Sequence, residues 1–156
     1  MGVSVSVSIV IGVKSGELVK EEITNDTFEI HDERGRPTGK FKTESIKTIY
    51  LVNEPMKKVK DEGYIENITD ILNINDYPML GEFGFHNSNY ESRDYLETGI
   101  IGVSIERNAD LLYTGDKTKE ISLEEIVDIS KRVEQEILNR YGVKVEPKVY
   151  QISSVG

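Results

Sequence analysis

"SLEEIVDISKRVEQEILNRYG", Ser122–Gly142, is the stretch that decides the fold class. Ser122 stands three residues before Glu125 as a capping box, and Gly142 follows the last apolar position. A helix from about Leu123 to Tyr141 therefore carries its own start and stop signals. At about 100° per residue, Leu123, Ile126, Val127, Val133, Ile137, Leu138 and Tyr141 form one apolar stripe. Ser130 and Glu134 fall inside that stripe, one turn apart. A carboxylate on an inward face is costly unless it is paired or hydrogen-bonded. Glu134 thus reaches solvent at a sheet rim, pairs with an arginine for structure, or serves a site.

On either side of this helix the apolar period changes to two. "VKVEPKVYQI" (Val143–Ile152) reads as a closing strand whose Pro147 points to an edge or a bulge. "TGIIGVSIER" (Thr98–Arg107) sets Ile101, Val103 and Ile105 on one face, and Ile100, Gly102 and Ser104 on the other. At the far end, Val3 to Val13 alternate as one strand, with Ser4, Ser6, Ser8, Val10 and Gly12 on its second face. "MGVSVS" also fits a myristoylation pattern, but the alternation running through it favours strand.

Between these strands, "SGELVKEEI" (Ser15–Ile23) reads as a short helix capped by Ser15. Thr27–Val52 reads as a β-hairpin reversing at "RGRPTG". Residues 54–75 read as two short helices, the second on the spacing of Ile65, Ile68, Ile71 and Leu72. A turn is expected at Thr114–Gly115–Asp116. The expected architecture is a single α+β domain over residues 1–156: a mostly antiparallel sheet, one long late helix and shorter helices packed on one face. The last helix and strand could add one parallel pairing.

Composition removes several functions. The 156 residues include no cysteine, which excludes disulfides, thiolate metal sites and cysteine nucleophiles. His31 and His86 are far apart and neither starts a helical metal motif, so no metal or cofactor is expected. A net charge of −9 without a basic stripe argues against direct nucleic-acid binding, which draws its affinity from Lys and Arg on phosphates. No apolar run approaches a membrane span. A cytoplasmic location is expected.

"GEFGFHNSNYESRDYLETG" (Gly81–Gly99) is the most distinctive stretch. Phe83 and Phe85 alternate as in a core strand, after which Asn87, Ser88 and Asn89 favour a turn. Tyr90, Arg93, Asp94 and Tyr95 then follow at the spacing of a helical turn. Rings for stacking, a guanidinium for phosphate or carboxylate, and amides for base edges suit a nucleotide-like ligand. Tyr and Arg are also enriched at protein contacts, so the same loop equally suits a protein-contact patch. The candidate ligand-binding residues are His86, Asn87, Asn89, Tyr90, Arg93, Asp94 and Glu134.

Two other features bear on function. If the first strand pairs with Thr98–Arg107, their serines and glycines leave one sheet face nearly flat. Such a face either receives a helix closely or forms a polar floor for a flat ligand. "IGVKSGE" places Lys14 beside a helix start, but it lacks the order and spacing of a phosphate loop. In the hairpin, Arg34, Arg36, Lys40 and Lys42 gather as a solvated tip or a contact with a neighbour.

The expected function is a small non-catalytic binding protein that sequesters an anionic or nucleotide-like small molecule. Accessory proteins of viruses and mobile elements are often of this kind. The alternatives are a protein inhibitor acting through an acidic surface, and a small hydrolase or phosphodiesterase-like enzyme. In the last, Glu134 or His86 would be the base and Arg93 the substrate anchor. A homo-oligomer, most simply a dimer, is expected from the long first strand and the hairpin, either of which can pair across a two-fold axis.

Overall fold

The computed structural model describes residues 5–60, 65–87, 95–108 and 120–155. β1 (Val5–Lys14) is the strand that the early alternation predicts. It lies between β6 (Ile100–Asn108) and β7 (Lys148–Val155), and β5 (Phe83–His86) completes a four-stranded sheet in the order β5–β6–β1–β7. Every pairing is antiparallel. The parallel pairing expected from the last helix and strand is absent for a topological reason. β6 and β7 do run parallel on either side of α3 (Leu123–Tyr141), but β1 is inserted between them as in a split β-α-β unit. β7 is an edge strand, which is why Pro147 is tolerated immediately before it.

The second sheet has the order β2–β3–β4, with β2 at Val19–His31, β3 at Pro37–Leu51 and β4 at Glu54–Lys60. Two helices expected from sequence are replaced here. Ser15–Glu17 is a single 3-10 turn and Val19 already belongs to β2, because pairing along nearly the whole of β3 outweighs local helical preference. Residues 54–60 pair with β3 after a tight reversal at Val52–Asn53, with Pro55 on an edge strand. The second short helix is present as α1 (Ile65–Leu72), and α2 (Tyr95–Thr98) is one turn.

α3 follows its sequence signals closely. The Ser122 side chain accepts a hydrogen bond from the Glu125 backbone N–H at 3.1 Å, and Gly142 ends the helix at φ 67°. The apolar stripe is narrower than the sequence suggests. Val133 and Ile137 are fully buried, whereas Leu123, Val127 and Leu138 are exposed and Ile129 is packed against the core instead. That core joins both sheets: Val13, Phe85, Ile101 and Val103 meet Val133 and Ile137, and continue into Val19, Ile49, Ile68 and Leu72.

Tyr141 ties α3 to α1 by donating its hydroxyl to the Leu72 carbonyl at 2.6 Å. Burial pushes this phenol up to about 12. Because the folded state holds the proton more tightly, the associated stability is complete below pH 10 and is lost as pH rises from 10 to about 12. Tyr141→Phe is expected to flatten the loss of stability over that window, measured by urea unfolding at stepped pH. An unchanged profile would show that this phenol is not the group responsible.

Candidate functional site

The flat sheet face expected from sequence is present. Gly84, Gly102 and Gly12 lie in register across β5, β6 and β1, and Ser104 pairs with Val10 in the adjoining row. The long helix does not cover this face. α3 packs on the side bearing Phe83, Phe85, Ile101 and Val103, as the Arg140 guanidinium stacked 4.9 Å from the Phe83 ring centre also shows.

The segment from Asn75 to Glu82 crosses the glycine-rich face instead. Its ends are fastened by backbone bonds, from Phe85 N–H to the Asn75 carbonyl and from Gly81 N–H to the Ser104 carbonyl, both 2.9 Å. Pro78 fills the space over Gly84, where an added Cβ would lie 2.6 Å from the proline ring. Beside this bridge a cleft of about 100 Å³ stays open, bounded by Ser8, Asp76, Tyr77, His86, Asn87 and Ser104.

Strand alternation sends Phe85 into the core and His86 to the cleft side. The His86 Nε2–H donates to the Gly102 carbonyl at 3.1 Å. A carbonyl only accepts, so Nε2 carries a proton. The Asn87 side-chain oxygen is buried at the cleft wall. Tyr77 is 66% exposed, which leaves a flat ring at the mouth. Two hydroxyls, a carboxylate, an imidazole and an amide together offer donors and acceptors in a small space.

Of the residues singled out from sequence, His86 and Asn87 are adjacent at this cleft. Glu134 is half-buried on α3, which packs against the opposite face of the sheet, so it is not brought to them. Asn89, Tyr90, Arg93 and Asp94 lie outside the described residues, as does the Thr114–Asp116 turn. Ser8 and Ser104 were visible as floor residues in the alternation. Asp76 and Tyr77 were missed, although "NDYP" between a helical and a strand pattern is turn chemistry that marks a loop.

The strand-to-helix turn at Lys14 is no anion site. Ser15 is buried, and its hydroxyl donates to the Tyr95 carbonyl instead of capping a helix. Lys14 pairs with Glu97 at 2.9 Å, and the hydrogen bond to that carboxylate holds the ammonium above the usual lysine range. Among the described residues no three His, Asp or Glu side chains are grouped as metal ligands, and no helix is long and apolar enough to cross a membrane. No protein-family model, curated protein or solved structure matches the chain.

Proposed function

We propose that this protein is a non-catalytic binding protein for a nucleotide-like small molecule, with the base edge held in the cleft beside β5. The observation that carries the reading is the meeting of His86 and Asn87 with Asp76, Tyr77, Ser8 and Ser104 over a glycine-lined sheet. A carboxylate at Asp76 repels phosphate but accepts hydrogen bonds from the ring N–H or amino group of a base. The amide, imidazole and hydroxyls complete a mixed edge, and Tyr77 supplies a stacking surface.

At about 100 Å³ the cleft is smaller than the roughly 300–1,000 Å³ of a site for a whole small molecule. It therefore takes one end of such a ligand. The phosphate end is assigned to Arg93 on the chemistry of a guanidinium, which holds phosphate with two bonds. Turnover is the alternative reading, and it would use His86 as its base, because Glu134 lies on the opposite side of the sheet from the cleft.

Native mass spectrometry of the protein incubated with a nucleotide pool tests this reading. An intact nucleotide-sized ligand is expected, recovered unchanged on denaturation. Asn87→Ala is expected to weaken binding by about 0.5–1.5 kcal/mol, and Arg93→Ala by about 1.5–3 kcal/mol, with melting temperatures near wild type. Recovery of a hydrolysed product would favour an enzyme. Equal affinity in wild type and Asn87→Ala would remove the cleft as the site.

A further inference from the structure

The β2–β3 hairpin runs far beyond the core that anchors it. Val19 and Ile49 are buried at its base, but from Ile23 to Ser45 every residue is exposed except half-buried Glu29. Nine residues of β2 beyond that base reach about 30 Å at ~3.3 Å per residue. An isolated two-stranded ribbon is at best marginally stable in water. This one also carries apolar side chains on both faces. Phe28 and Ile30 share one face, while Ile23 and Phe41 share the other, at 68% and 66% exposed. Such a ribbon is built to be covered.

Its tip has the opposite charge to the rest of the molecule. From His31 to Lys42, four basic residues (Arg34, Arg36, Lys40, Lys42) face two acidic ones (Asp32, Glu33), a net of +2. The chain as a whole carries −9, so the remainder carries −11. The tip is held in shape by Asp32, whose carboxylate accepts from the backbone N–H groups of Arg34 and Arg36, both at 2.9 Å. The complementary surface is on the same chain. Beside edge strand β7, a groove of about 430 Å³ is lined by Ile11, Ile126, Val127, Pro147 and Val149, and by two lysines, Lys131 and Lys148. Val127 and Val149 are exposed there, and Leu123, Glu124, Glu125 and Asp128 stand exposed on the first turns of α3.

We propose that the β2–β3 arm clasps a second copy of this chain, its Phe28 and Ile30 face seated in the α3–β7 groove and its basic tip against the acidic start of α3. Two such contacts related by a two-fold axis close the assembly as a dimer. Nucleic acid is the weaker match for the arm. Val19–Leu51 as a whole carries six basic and seven acidic residues, so the ribbon offers no basic stripe to a phosphate backbone.

Sedimentation of the full-length protein tests the clasp. Wild type is expected to dimerise, with affinity falling as salt rises from about 0.05 to 0.5 M because the tip contacts are screened. Phe28→Ser with Ile30→Ser is expected to weaken association by about 30-fold or more, the loss seen for buried anchors. Circular dichroism would check that the body stays folded. Arg34→Ala with Arg36→Ala, at exposed positions, gives a second variant in which the salt dependence should shrink.

Mixing is the decisive arm. The Phe28/Ile30 variant retains a groove, and a Val127→Asp with Val149→Asp variant retains an arm. Neither should associate alone, yet the mixture should form a heterodimer. A monomeric wild type at high concentration overturns the proposal. So does a dimer insensitive to the arm substitutions, a mixture that stays monomeric, or a monomer whose arm binds a nucleic-acid duplex.

Discussion

Replacing Ile137 by alanine is expected to cost about 2–5 kcal/mol of folding free energy, measured by urea denaturation. Ile137 is wholly buried in the cluster where α3 meets β1, β6 and the base of the second sheet. Alanine leaves a cavity that several elements would have to close together. Domains of this kind are typically stable by about 5–15 kcal/mol, so the loss is a large share of the total. The neighbouring Leu138 sharpens the test. It is 42% exposed, and Leu138→Ala is expected to cost under about 1 kcal/mol. Equal costs at the two positions would mean that α3 presents a different face to the sheet.

That contrast also shows what local sequence conveys and what it does not. Ser122, Glu125 and Gly142 act within one helical turn of the ends they set, so the limits of α3 were readable directly. The breadth of its buried stripe was not, because burial depends on where the sheet ends. Leu123 in the first turn of α3 is exposed, while Ile129 packs on the core. Period-two alternation was sufficient for β1, β5 and β6. It failed at Val19–Ile23 and at residues 54–60, where pairing with β3 decides the conformation. The same division holds at the candidate site. His86 and Asn87 were legible because they end an alternating run. Asp76 and Tyr77 join them only because Pro78 settles on Gly84, a contact between separate segments. A helical wheel put Glu134 on the inner face of α3 but carried no information on which side of the sheet α3 would lie.

The glycine row gives the most severe substitution. Gly102 pairs directly with Gly12, and a Cβ on Gly102 would lie 2.1 Å from the Ile11 carbonyl oxygen and 2.6 Å from the Gly12 Cα. Both obstacles are backbone at the centre of a four-stranded sheet, so no side-chain rotation relieves them. Gly102→Ala is therefore expected to exceed the about 1–3 kcal/mol typical of overpacked cores, and to lower soluble yield and melting temperature together. Gly39→Ala is the matched control. Its φ is 75° and nothing lies within 4 Å of an added Cβ, so only the backbone conformation is penalised, at about 1–2 kcal/mol. The Gly102 carbonyl also accepts the His86 Nε2–H, so separating β1 from β6 should disturb that bond in any fraction that folds. The exchange rate of the imidazole proton, followed by NMR, reads this directly. A Gly102→Ala protein with wild-type stability and an unchanged His86 signal would show that Gly12 and Gly102 do not face each other, and the floor of the cleft would have to be redrawn.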